Sequence, residues 1–210
     1  MAFLRTALVC AAMLVCGLAA AHAGEDLYNP LAVGLVWTGD VVATSADGRS
    51  LQGKMTREIT GTRVIEGKTY FTMETRVEGI PGMKSFTTYR RHGEDGVYAI
   101  SAADPKLAEF MESPRVMTPG RVWEVPMPQG KMIFRVEGIE PVTVGEVTYK
   151  DCCKVSYRSD TLPFRSAFYL ARNVGSVTET IKSGDATIVF LLRSFTRRGE
   201  KVEMSAVAMP

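Results

Sequence analysis

Polarity alternates along most of this chain with a period of two. The stretch Thr69–Glu78 shows it best: Phe71, Met73 and Val77 fall on one face, and Thr72, Glu74 and Arg76 on the other. That period belongs to half-buried β-strands, because successive side chains of a strand point to opposite faces. Similar segments, rich in Val, Thr, Ile, Tyr and Phe, run through Leu35–Thr44, Leu51–Thr60, Lys84–Arg91, Val97–Ala102, Arg121–Val125, Lys131–Glu137, Val147–Tyr157, Arg165–Ala171, Ser176–Lys182 and Thr187–Thr196. The punctuation between them is turn chemistry: S-A-D-G-R-S, Glu66-Gly67-Lys68, H-G-E-D-G, R-N-V-G and Ser183-Gly184-Asp185. Ile188 to Leu192 is apolar on both faces, which predicts a central strand.

One stretch breaks the period. From Ala103 to Pro119, Asp104 can cap a short helix with Pro105 in its first turn, and Leu107, Phe110 and Met111 have helical spacing. Residues 103–119 therefore read as a linker holding one short helix. On either side of it the chain repeats itself. Gly34-Leu-Val-Trp37 returns as Gly120-Arg-Val-Trp123, each after a proline. Ile59-Thr-Gly61 with Val64, Gly67 and Tyr70 returns as Val136-Glu-Gly138 with Val142, Gly145 and Tyr149. The expected fold is all-β: a curved antiparallel sheet, half-barrel or sandwich of about ten to twelve strands. Two pseudo-repeated meanders, about 30–102 and 116–196, would share one core in a single domain of residues 24–200, with a flexible tail at 201–210.

The N-terminus changes the picture of where this domain works. Arg5 supplies a positive start, Ala7 to Ala20 is almost wholly apolar, and Ala21-His22-Ala23 is a small-x-small cleavage pattern. Residues 1–23 read as a cleaved signal peptide and the protein as periplasmic; retention of the segment as an anchor is the other reading. No later apolar run is long enough to span a bilayer. With Arg5 gone, 24 basic side chains face 23 acidic ones, a balance without the electrostatic footprint of a nucleic-acid binder. Arg90-Arg91-His92 and Arg197-Arg198 read as solvated turns or edges.

Catalytic chemistry finds few candidates. His92, in a turn, is the single histidine after the leader, so a His-based triad or a typical zinc site lacks material. Glu94 with Asp95, and Glu137 with Glu140, lie in turn-like segments. No P-loop, dinucleotide or nucleophile-elbow pattern occurs. The expectation is a protein that is not an enzyme and needs no cofactor and no metal.

Cys152 and Cys153 remain once Cys10 and Cys16 leave with the leader. Alternation sends Cys153 to the core with Val155 and Tyr157, and Cys152 to the other face with Lys154 as a less buried thiol. A vicinal disulfide and a redox role for Cys152 stay open beside that reading. Trp37, Met55, Phe71, Met73, Trp123, Met132 and Phe134 could line a concave face. They read as core or as an adaptable apolar groove for a lipid or a lipoprotein.

The patterns Pro30-Leu-x-x-Gly34-x-x-Trp37, Pro119-Gly120-x-x-Trp123, V-T-V-G-E-V-T-Y-K-D-C-x-K-V and Tyr169-Leu-Ala-Arg-x-Val-Gly175 resemble a group of exported bacterial β-rich proteins. That group shows P-L-x-x-G-x-x-W, then T-V-x-x-G-x-[FY]-x-D-C-x-K-V, then a Gly-Val-Gly turn. This chain departs from it with Asn173 in that turn and with Cys153 after the motif cysteine. The resemblance implies a curved antiparallel sheet like the half-barrels of periplasmic lipoprotein carriers, and it brings no catalytic residues. Two functions follow as expectations: a periplasmic carrier for a hydrophobic ligand or lipidated partner, or an interaction subunit of an envelope complex that pairs through a sheet edge.

Overall fold

The computed structural model describes residues 28–83, 85–102, 109–127 and 130–197. The expected signal peptide, most of the expected helix and the expected tail from residue 201 lie outside those residues. Twelve strands follow in chain order: β1 (Leu35–Thr44), β2 (Ser50–Ile65), β3 (Lys68–Glu78), β4 (Phe86–His92), β5 (Gly96–Ser101), β6 (Phe110–Pro114), β7 (Val122–Met127), β8 (Gly130–Val144), β9 (Val147–Ser159), β10 (Phe164–Ala171), β11 (Gly175–Ser183) and β12 (Ala186–Arg197). No helix occurs among the described residues.

All pairs are antiparallel, and the sheet order is β6-β5-β4-β3-β2-β1-β12-β11-β10-β9-β8-β7. Two six-stranded meanders thus join through the pairing of the first strand with the last, where Val41 faces Phe190. The sheet curls until its two edges, β6 and β7, approach each other. Ile188–Leu192 lies in β12, which with β1 forms the middle of the sheet.

The expected linker contains a strand. Phe110 pairs with Ala99, and Met111 with Tyr98. The reason lies in β5, whose Val97, Ala99 and Ile100 are all buried. A strand so covered leaves its backbone groups dry and needs a partner for them. Phe110 and Met111, at the start of β6, can supply it, and Pro114 ends the strand.

The two meanders start from matching corners. Gly34 and Gly120 adopt φ of 88° and 87°, a region open to glycine. Their amides donate to Ile59 O and Val136 O, both at 2.8 Å. Ile59 and Val136 are fully buried, and each precedes a β-bulge that ends at Gly61 or Gly138. These bulges bend the long strands and help the sheet to close.

The closing seam between β6 and β7 carries no backbone ladder among the described residues. A side chain of β7 bridges it, and the segment before β1 adds a bond to β6. The Trp123 indole donates to the Glu112 carbonyl at 3.2 Å. Asn29, from the segment preceding β1, donates to the Ser113 hydroxyl at 2.7 Å.

Candidate ligand-binding lumen

Curling the sheet leaves a cavity of about 530 Å³ inside it. Alternation decides what points to the inside of the curl: on β2 it is Met55, Arg57 and Ile59, and on β4 Thr88 and Arg90. On β7 to β9 it is Trp123 and Val125, then Met132 and Phe134, then Val155 and Tyr157.

One wall is aromatic. Trp123 stacks on Phe134 with ring centroids 5.1 Å apart, and Phe134 stacks on Tyr157 at 4.8 Å. Tyr157 in turn meets Phe164 at 5.6 Å and Phe168 at 5.7 Å. Cross-strand neighbours make this ladder, because directly opposed residues of an antiparallel pair sit on the same face. Such contacts are worth about 0.5–1.5 kcal/mol each beyond the area they bury.

The facing wall is charged. Arg57 lies 3.7 Å from Glu179, and its guanidinium sits 5.3 Å over the Phe190 ring. Arg90 forms an ion pair with Glu112. The Tyr157 hydroxyl donates to Glu179 at 2.8 Å. Burial pushes the Arg57 guanidinium down, with Glu179 opposing that shift, and Arg90 and Glu112 are close enough to contribute. Burial, helped by Glu179, pushes the Tyr157 phenol above its ordinary value. Two cations and two anions therefore share the lumen, and no histidine lines it among the described residues.

The two ends differ. At one, the segment before β1 fills the opening: the Tyr28 hydroxyl donates to Asp151 O at 3.0 Å, and Asn29 holds Ser113. Pro30 and Leu31 line the cavity floor. The Trp37 indole donates to Val174 O at 2.5 Å beside them. At the other end, Met127 and Leu162 line the cavity while remaining 49% and 53% exposed. They form an apolar mouth between the end of β7 and the β9–β10 loop.

Of the residues singled out from the sequence, Trp37, Met73, Met132 and Phe134 line the cavity. Trp123 stands behind Phe134 as its stacking support. Met55 is buried among Val41, Ile59 and Met73 and acts as core. Phe71 lies edge-on to His92, with ring centroids 6.4 Å apart.

The cysteines correct one expectation. Cys152 is as fully buried as Cys153, and the two are free thiols. Cys153 packs with Val136, Val155 and Leu170. Cys152 belongs to the other cluster, with Val144 and Ala171, and its thiol donates to Tyr149 O at 3.5 Å. Burial pushes both thiols up to about 11. At neutral pH both stay protonated, the unreactive form of the group.

Arg90-Arg91 is a second correction. Neither is a solvated turn residue: Arg90 points into the lumen, and Arg91 holds Glu109 through Nε at 2.5 Å and Nη2 at 2.7 Å. The lumen charges carry a signal that sequence reading passed over. Met55-x-Arg57-x-Ile59 and Val177-x-Glu179-x-Ile181 place charges in phase with inward apolar residues.

No family model matches the chain, and no curated protein matches it. Solved structures do. A Bacteroides fragilis chain assigned as an exported protein with a YmcC-like fold is 12% identical, with a TM-score of 0.49 over 82% of this chain and 100% of that one. A Parabacteroides distasonis chain assigned as a lipoprotein is 13% identical, with a TM-score of 0.40 over 82% and 100%. A β-barrel-like protein of a domain of unknown function from Brucella abortus is 12% identical, with a TM-score of 0.41 over 79% and 98%.

Proposed function

We propose that this protein is an exported binding or carrier module, not an enzyme, that houses a hydrophobic ligand or the lipid of a lipidated partner in its lumen. The cavity carries this reading. Its volume of about 530 Å³ suits one small ligand. Its walls offer methionine and stacked aromatic rings, and the exposed Met127 and Leu162 give an apolar entrance. The residue 1–23 pattern supports export, and the periplasm is the compartment proposed. Both lumen carboxylates face an arginine, an arrangement suited to holding charge in place rather than to passing protons.

The alternative is an interaction subunit that pairs through a sheet edge. The two edges, β6 and β7, face each other across a seam that Trp123 bridges, and Asn29 holds Ser113 of β6 from the segment before β1. That leaves less free edge for a partner strand, so the lumen is the better-founded site.

An uncharged solvatochromic dye tests the reading. Its emission should rise and shift to the blue on adding the purified protein, and apolar competitors should reverse the change. Emission no different from that in buffer would overturn the proposal.

A further inference from the structure

The lumen charges cancel, yet their hydrogen-bonding capacity is not used up. Arg90 Nε, Glu112 Oε2 and Ser176 Oγ are buried without a hydrogen-bond partner among the described residues. All three residues line the cavity. Buried polar groups are rarely left so, because the desolvation they suffer goes uncompensated. Here one unused N–H donor, one unused carboxylate acceptor and one hydroxyl face the same space.

Charge narrows what could answer them. A third anion beside Glu112 and Glu179, or a third cation beside Arg57 and Arg90, would unbalance a cluster that is neutral as it stands. An uncompensated charge in a water-poor interior is costly. Hydroxyl, ester and amide groups supply a donor, an acceptor or both with no net charge. The aromatic wall opposite runs towards the mouth at Met127 and Leu162, which gives an apolar tail its path. A cavity of this size has room for one chain rather than several.

We propose that the lumen selects single-chain amphiphiles with an uncharged head that carries both a hydrogen-bond donor and an acceptor, as in a monoacylglycerol. The head lies against Arg90 and Glu112, and the chain lies along Phe134 and Phe168. This rests on the carrier reading above and names its ligand class.

Competition against the uncharged dye tests it, using palmitoylglycerol, palmitate, cetyltrimethylammonium and hexadecane below their aggregation limits. Palmitoylglycerol should displace the dye at concentrations at least about tenfold lower than the other three, the effect expected for a hydrogen bond to a charged group. The double variant Arg90→Met/Glu112→Leu replaces the ion pair with side chains of similar size. Its fold is checked by circular dichroism, and in direct competition between the two ligands, read by native mass spectrometry, it should lose the preference for palmitoylglycerol over hexadecane. Displacement by palmitate, the cation or hexadecane at equal or lower concentration would overturn the head-group assignment, as would a preference retained in the double variant. Either result leaves the carrier reading standing. A wild-type protein that binds no dye would overturn both.

Discussion

Glu109 and Glu112 sit three residues apart and play opposite parts. Glu109, beside the outer face of the sheet, receives Arg91, Lys68 at 3.1 Å and the Tyr70 hydroxyl. Those partners, Arg91 foremost, hold its carboxyl down at about 2. A depressed carboxylate stabilises the fold above the unfolded pKa and loses that effect as pH falls through the folded one. The loss here runs from about 4.5, the ordinary value, down to about 2. Glu109→Gln should therefore lower stability by about 1–3 kcal/mol at neutral pH, and the gap to wild type should shrink as pH falls towards 2. Urea unfolding at a series of pH values measures it, and a pH-independent gap would contradict the assignment. Glu112 instead turns inward to Arg90. Sequence could not separate these two roles, because nothing local to E-F-M-E says that β6 exists.

At the scale of elements, the β8–β9 hairpin shows where alternation stops being enough. Glu140 faces Cys152, and the next pair is Val142 with Tyr149. Lys150 and Asp151 thus stand opposite the single residue Pro141, which has no N–H to offer the ladder. Asp151 takes φ of 52°, a left-handed conformation. Alternation correctly separated Cys152 and Cys153 into different packing environments, but it could not tell that Val142 and Val144 would cover Cys152 as well. A buried outer face is a tertiary fact with no local period. Asp tolerates the left-handed region better than most side chains, and a β-branched one does not. Asp151→Val should cost about 1–2 kcal/mol, while Asp151→Gly should be neutral or stabilising by up to about 1 kcal/mol. Denaturant midpoints of the two variants check this; equal losses in both would mean that the Asp151 side chain itself matters.

At the scale of the whole molecule, the strands and the antiparallel class were legible because period-two patterning and turn residues are local. Closure was not, because it needs both the β1–β12 pairing of the two ends of the described chain and the approach of the edges β6 and β7, which no local pattern records. The site was legible in part for the same reason. Met73, Met132 and Phe134 announce themselves as inward apolar residues. Arg57 meets Glu179 only after the sheet has curled, and Arg90 meets Glu112 only because β6 pairs at the edge. A reading by residue type assigns such charges to solvent. The outcome is a nearly closed, barrel-like sheet with one end filled by Tyr28–Leu31, an apolar mouth at the other, and an amphipathic interior between them.

Native mass spectrometry of the protein released gently from the cell envelope tests that account most directly. The expected spectrum shows each chain carrying one small molecule of lipid mass, lost on collisional activation to leave the bare chain. A spectrum of bare chain alone, from a preparation that also takes up no added amphiphile, would contradict the claim that this lumen is a binding site.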